Sequence, residues 1–122
     1  MPNHDNVVVL RGTIGNEPTH REIPSGEVWQ FDLRTDGDAE SGTPSRSVPL
    51  AWLDPTDAEL LALEPGLAVV VVGSVQRRFF RAGGATQSRT EVVVERLVPV
   101  RRRATVSALV ADVVARLSPG AA

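Results

Sequence analysis

Cysteine is absent from this chain. That excludes disulfides, thiolate metal sites and cysteine nucleophiles. Lysine and tyrosine are absent too, so all thirteen basic residues are arginine. Arginine forks onto phosphate and stacks on flat rings better than lysine does. A bias in genomic base composition removes lysine as well. Aromatic residues are scarce, with two Trp and three Phe. No apolar run is long enough to cross a bilayer, and no basic start followed by an apolar stretch marks a signal peptide. The expectation is a soluble, cytoplasmic protein without a membrane partner. His4 and His20 stand too far from other ligand types to suggest a metal site or a general base. There is no phosphate-cradling glycine motif, no metal-ligand spacing and no catalytic triad, and Ser25 sits in a turn without a partner base. Neither an enzyme nor a metal or cofactor site is expected.

What is present suits one folded domain. The 122 residues are 42 % hydrophobic, enough for a core and too apolar for a disordered chain. Net charge is −2, but its distribution is uneven. Residues 1–64 carry four arginines and twelve acids, a net −8, whereas residues 65–122 carry nine arginines and three acids, a net +6. Such asymmetry builds a basic face on an acidic protein, or pairs within and between subunits.

In chain order, Val7–Ile14 is β-branched and predicts a first strand. Residues 15–22 read as a loop or irregular edge, and Ile23-Pro24-Ser25-Gly26 as a turn. Glu27–Thr35 alternates, with Trp29, Phe31 and Leu33 on one face, so it predicts a half-buried second strand with Trp29 in the core. The acidic, Gly- and Pro-bearing residues 36–45 predict a mobile loop. Arg46–Trp52 is the third strand, with Pro49 favouring an edge or bulge. A short helix follows, with Asp54 as its cap, Pro55 as its first residue and Pro65-Gly66 ending it. Leu67–Val75 is the most apolar strand, and Ser88–Val100 returns beside it. Past Arg101-Arg102-Arg103, the residues Val106, Leu109, Val110, Val113, Val114 and Leu117 form an apolar stripe at helical spacing.

Between the last two strands lies GSVQRRFFRAGGATQSRT, residues 73–90. Its Ala82-Gly83-Gly84-Ala85 centre is a hairpin turn. Arg77, Arg78, Arg81 and Arg89 surround Phe79 and Phe80. Arginines neutralise phosphates and exposed rings stack on bases, the two needs of a single nucleic-acid strand. Alternation sends the two rings to opposite faces, with Phe79 free to enter the core and Phe80 to face out. A solvated hairpin with ordinary surface arginines fits the same residues.

Five short strands with a helix between the third and fourth follow the order of an OB-fold, an all-β Greek-key barrel, here with an extra C-terminal amphipathic helix. The division is 1–103 for the OB-fold domain and 104–122 for the helix and tail. The chain resembles the bacterial single-stranded DNA-binding protein family, in an actinobacterial, divergent or short form. The resemblance runs from Val7 to Val100. It rests on Val8-Val9-Leu10-Arg11-Gly12, on Pro24-Ser25-Gly26 leading to Phe31-Asp32-Leu33, and on Ala51-Trp52. Gly73 with the Arg77–Phe80 run, and Arg89-Thr90-Glu91-Val92-Val93-Val94, complete it.

The resemblance implies sequence-tolerant single-stranded DNA binding in replication, repair or recombination, by a homotetramer or a dimer of dimers. It places base-stacking aromatics at Trp52 and Phe80. Where the family has a further aromatic, this chain has Arg46, and residues 36–45 offer no ring. The family's acidic, aromatic tail tip has no counterpart in Ser118–Ala122. Phosphate contacts are expected from Arg77, Arg78, Arg81 and Arg89, with Arg11, Arg34 and Arg46 along the groove. Trp52 beside Ala51 and the helix cap fits core packing equally well. The alternative function is an OB-fold interaction module, with little DNA binding, that meets a protein partner through Val106, Leu109, Val110, Val113, Val114 and Leu117.

Overall fold

The computed structural model describes residues 5–35, 40–42 and 44–118. His4, part of the acidic loop (36–39 and 43) and the tail 119–122 lie outside the described residues. The elements are β1 (Val8–Ile14), β2 (Thr19–Ile23), β3 (Gly26–Thr35), β4 (Arg46–Leu53), α1 (Asp57–Leu60), β5 (Ala68–Ala82), β6 (Ala85–Pro99) and α2 (Arg103–Leu117).

The sheet runs β1-β5-β6-β4-β3-β2, and a further β1–β3 pairing closes it into a barrel. That closure uses Thr13 opposite Arg34 and Ile14 opposite Leu33. β4 and β6 pair in parallel at Leu50–Val92 and Ala51–Val93, while the other pairings are antiparallel. This is the all-β OB-fold barrel, with α1 between β4 and β5 and α2 at the C-terminal end. It carries one more strand than the five predicted. Residues 19–23 (THREI) have no apolar alternation of their own, yet they pair with β3 through the Pro24-Ser25 turn.

The barrel interior holds Ile14, Phe31, Leu33, Leu50, Val69 and Val71, each at most 2 % exposed. The valine run of β5 is buried on both faces. Val69 and Val71 point into the barrel; Val70 and Val72 point out, where Val98, Leu109 and Val113 cover them. A strand covered on both sides reads as continuous apolar sequence rather than alternation. The helix α2 therefore stabilises the barrel directly, and burying a side chain such as Leu109 contributes about 1.5–3 kcal/mol. Its far end is clamped by Arg116, which donates to Asp5 at 2.8 Å and to Glu95 at 3.1 Å. The hydrogen bond to Asp5, then that to Glu95, raises the Arg116 pKa further above its ordinary value. Among the described residues no helix is long and apolar enough to cross a membrane.

Two local predictions change. The cap of α1 is Thr56, not Asp54. Thr56 Oγ1 accepts from the Glu59 amide at 3.1 Å, and Glu59 Oε1 accepts from the Thr56 amide at 2.8 Å. This reciprocal pair satisfies two amides at once, which Asp54 cannot. The carboxylate of Asp54 instead accepts from the Glu27 amide at 2.8 Å, so it ties β4 to β3, and Pro55 precedes the helix.

Gly73 sits at the register shift in the β5–β6 ladder, where a Cβ would overlap the Val93 carbonyl. The hairpin leaves the barrel just beyond this irregularity, past Val75 and Val92, where β6 still pairs with β4. Beyond it the strands continue to a two-residue turn, Gly83-Gly84, with φ of 59° and 79°. Positive φ at both central positions is what a type I′ turn requires.

Candidate nucleic-acid interface

The outer face of β2, β3 and β4 meets the foot of the β5–β6 hairpin in a groove of about 250 Å³. Ile23, Val28, Ala51, Leu53 and Val93 form its apolar walls, and Arg21, Gln30, Gln76, Arg78 and Glu91 supply the polar groups. Alternation explains the membership. Arg21 faces Val28 across the β2–β3 ladder and Gln30 faces Ala51 across β3–β4, so these side chains share the outward side. Arg21 is a site residue the sequence reading misses, because its strand is too polar to be read as one.

Glu91 is the one buried charged residue among those described, at 3 % exposure. Its Oε1 accepts from Arg78 Nε at 3.1 Å and from Gln76 Nε2 at 3.0 Å. Arg78 and Arg89 stand directly opposite one another on the hairpin, a like-charge pair that Glu91 beneath them offsets. The Arg78 guanidinium carbon also lies 5.3 Å from the centre of the half-buried Phe80 ring, within cation–π range. Carboxylate, guanidinium and ring are thus held as one unit.

The hairpin divides the predicted residues between its two faces. Arg78, Phe80 and Arg89 belong with Gln76 and Glu91 on the groove side. Arg77, Phe79 and Arg81 lie on the reverse, opposite Thr90, Ser88 and Thr86. The expectation that Phe79 enters the core is corrected. It is 65 % exposed, because the hairpin projects past the barrel and no described residue covers that face.

The predicted stacking ring Trp52 is also corrected. It is 3 % exposed and belongs to the barrel core, so it presents no face to a base. Trp29 packs against the same core, half-buried, and His20 stacks on it at 4.5 Å between ring centres and 22° between planes. Arg46 shares the inward side with Leu50 and Trp52, at the rim, and so turns away from the groove. Arg11 stands opposite Val70, on the side of the barrel that α2 covers. Arg34 is on the outer face of β3, exposed, beyond the groove-lining residues. The groove and hairpin thus bring together Arg78, Phe80 and Arg89, and leave Arg11, Arg34 and Arg46 outside.

The helical stripe divides as well. Leu109 and Val113 are taken by packing on β5 and β6. Val110, Val114 and Leu117 remain exposed at 42, 58 and 53 %. The expectation that all six stripe residues are open to a partner is therefore corrected: Leu109 and Val113 are packed, and only Val110, Val114 and Leu117 stay exposed. Among the described residues no cluster of His and acidic side chains is placed to hold a metal ion.

Comparison with known proteins gives one kind of match. No protein-family model matches the chain. No curated protein matches it either. Solved structures do match, among them one described as the Plasmodium falciparum SSB complex with ssDNA. That chain superposes with a TM-score of 0.61 over 79 % of this chain and 95 % of its own, at 23 % identity. The likeness shows the fold.

Proposed function

We propose that this chain binds single-stranded DNA without catalysing a reaction, through the groove and the projecting hairpin. The observation that carries the reading is the β5–β6 hairpin itself. It holds exposed arginines on both faces and a phenylalanine on each, next to an apolar groove. Arg77, Arg81 and Arg89 attract the phosphates, while Phe79 and Phe80 offer rings to bases. The similar Plasmodium chain, in complex with ssDNA, supports the reading. A homo-oligomer acting in replication, repair or recombination follows from the family resemblance.

The test is a titration of an end-labelled single strand, read by fluorescence anisotropy at several salt concentrations. A label is needed because Trp52 is buried and Trp29 is covered by His20. The expected result is binding whose affinity falls with a log–log slope of about −0.7 per phosphate contacted. No binding at low salt overturns the reading. A second reading, a protein-interaction module, is favoured by the exposed Val110, Val114 and Leu117. It predicts that Val110→Asp changes the mass measured by light scattering, alone or with a partner.

A further inference from the structure

Helix α2 keeps its charges on one flank. Asp112 faces Arg96 at 3.9 Å and Arg116 reaches Glu95 at 3.1 Å, both partners lying on β6. No other residue from Ala104 to Leu117 is charged. Leu109 and Val113 fill the inner side. The outer side is left to small residues and to the exposed Val110, Val114 and Leu117. A helix face open to water is ordinarily polar, and an apolar one is covered. Ser107, Val110, Val114 and Leu117 recur at intervals of three, four and three, the spacing of a helix–helix seam. The intervals read the same from either end. A two-fold axis between Val110 and Val114 therefore sets Val110 against the partner's Val114, and Ser107 against the partner's Leu117, in an antiparallel pair.

Charge selects the same arrangement. Arg101, Arg102 and Arg103 crowd the positive end of the helix dipole, with no acid in the first turn and no side-chain cap. Among the described residues none of the three has an ion-pair partner. The opposite end is the acidic one, where Asp5 and Glu95 share Arg116 beside the negative pole of the helix. Antiparallel packing lays each arginine end beside the partner's acidic end, twice in one dimer. A parallel pair would set the two arginine ends together.

We infer that α2 packs antiparallel against α2 of a second copy of this chain, along Ser107, Val110, Val114 and Leu117. This face is not the strand interface, and the inference does not rest on the single-strand reading. The seam is short beside a standard interface of about 800 Å² per partner, so the pair is weak and forms at high concentration. The chain has no cysteine, so introduced thiols report on the seam alone. The exposed Ser107 and Leu117 are replaced in separate variants, Ser107→Cys and Leu117→Cys. Each is oxidised alone and in an equal mixture. In an antiparallel pair the two copies of either thiol stand about 15 Å apart along the helices, beyond the roughly 7 Å that a disulfide spans between Cα atoms. Only the mixed pair brings thiols together. The mixture is expected to cross-link at least about tenfold faster than either variant alone. Adding Val114→Asp to both variants is expected to remove that excess, at a position 58 % exposed where the fold tolerates a charge. Cross-linking of either variant alone as fast as the mixture, no cross-link in the mixture, or an excess that survives Val114→Asp overturns the antiparallel pair.

Discussion

The two halves of the β5–β6 hairpin run along the same pair of strands, on either side of the irregularity at Gly73, yet they are opposite in chemistry. The half inside the barrel, Val69–Val72 with Val92, Val94 and Val98, is buried on both faces. The projecting half, from Gln76 to Glu91, has one face turned to the groove and the other open. The same two-residue alternation runs through both. What differs is coverage: the barrel interior and α2 seal the first half, and no described residue covers the open face of the second. A strand pair stabilised at its base can carry exposed rings and arginines at its tip at little cost to the fold.

Glu91 is the point where the comparison is most easily broken. It sits in the projecting half but is buried like the core. Removing Glu91 deprives two donors of a buried, charged acceptor, but Arg78 stays 30 % exposed and Gln76 is exposed, so water can take over both. Glu91→Ala is therefore expected to lose about 1.5–3 kcal/mol in urea denaturation, the range for a hydrogen bond to a charged group. A loss within the range of an ordinary surface change, about 0.5 kcal/mol, would show the unit to be decorative.

Leu109→Ala probes the sealed half from outside. It empties a site only 2 % exposed and is expected to cost about 2–5 kcal/mol. Strand affinity of the folded variant is expected to stay unchanged, which separates the two halves.

The rings sharpen the comparison from the other side. Phe79→Ala and Phe80→Ala are expected to weaken strand binding by about 1–3 kcal/mol per stacked ring. Phe79→Ala is expected to leave stability nearly unchanged, since the ring is 65 % exposed. The smallest effect belongs to single arginines. Arg89→Ala is expected to reduce the salt slope by about 0.7, whereas Arg11→Ala, on the α2 side of the barrel, leaves it unchanged. Equal slopes for the two variants would place the backbone elsewhere.

Much of the barrel was legible because its signals are local. The alternation of Phe31 and Leu33, the valine run, the Pro24-Ser25 and Gly83-Gly84 turns and the stripe of α2 each reflect a period or a backbone preference. β2 was missed because THREI earns its place by pairing with β3, not by its own pattern. The Thr56-x-x-Glu59 spacing was a readable capping signal, hidden by the stronger-looking Asp54-Pro55 before it.

The site was less legible than the fold. Parity separates Phe79 from Phe80, but only the length of the projection shows that neither ring reaches the core. Trp52 shares the inward side with Leu50, a fact that depends on which face of β4 closes the barrel. The burial of Glu91 is tertiary: a charged residue in the middle of a basic hairpin gives no local sign that Gln76 and Arg78 fold over it.

In the proposed function, the projecting half and its groove form the single-strand interface. The most direct measurement is an amide chemical-shift map of the isotopically labelled chain with and without a short single strand. Changes are expected to concentrate in residues 76–91 and at Gln30, Ala51 and Leu53, with α2 and β1 silent. Changes centred on α2 and β1, with a silent hairpin, would contradict it.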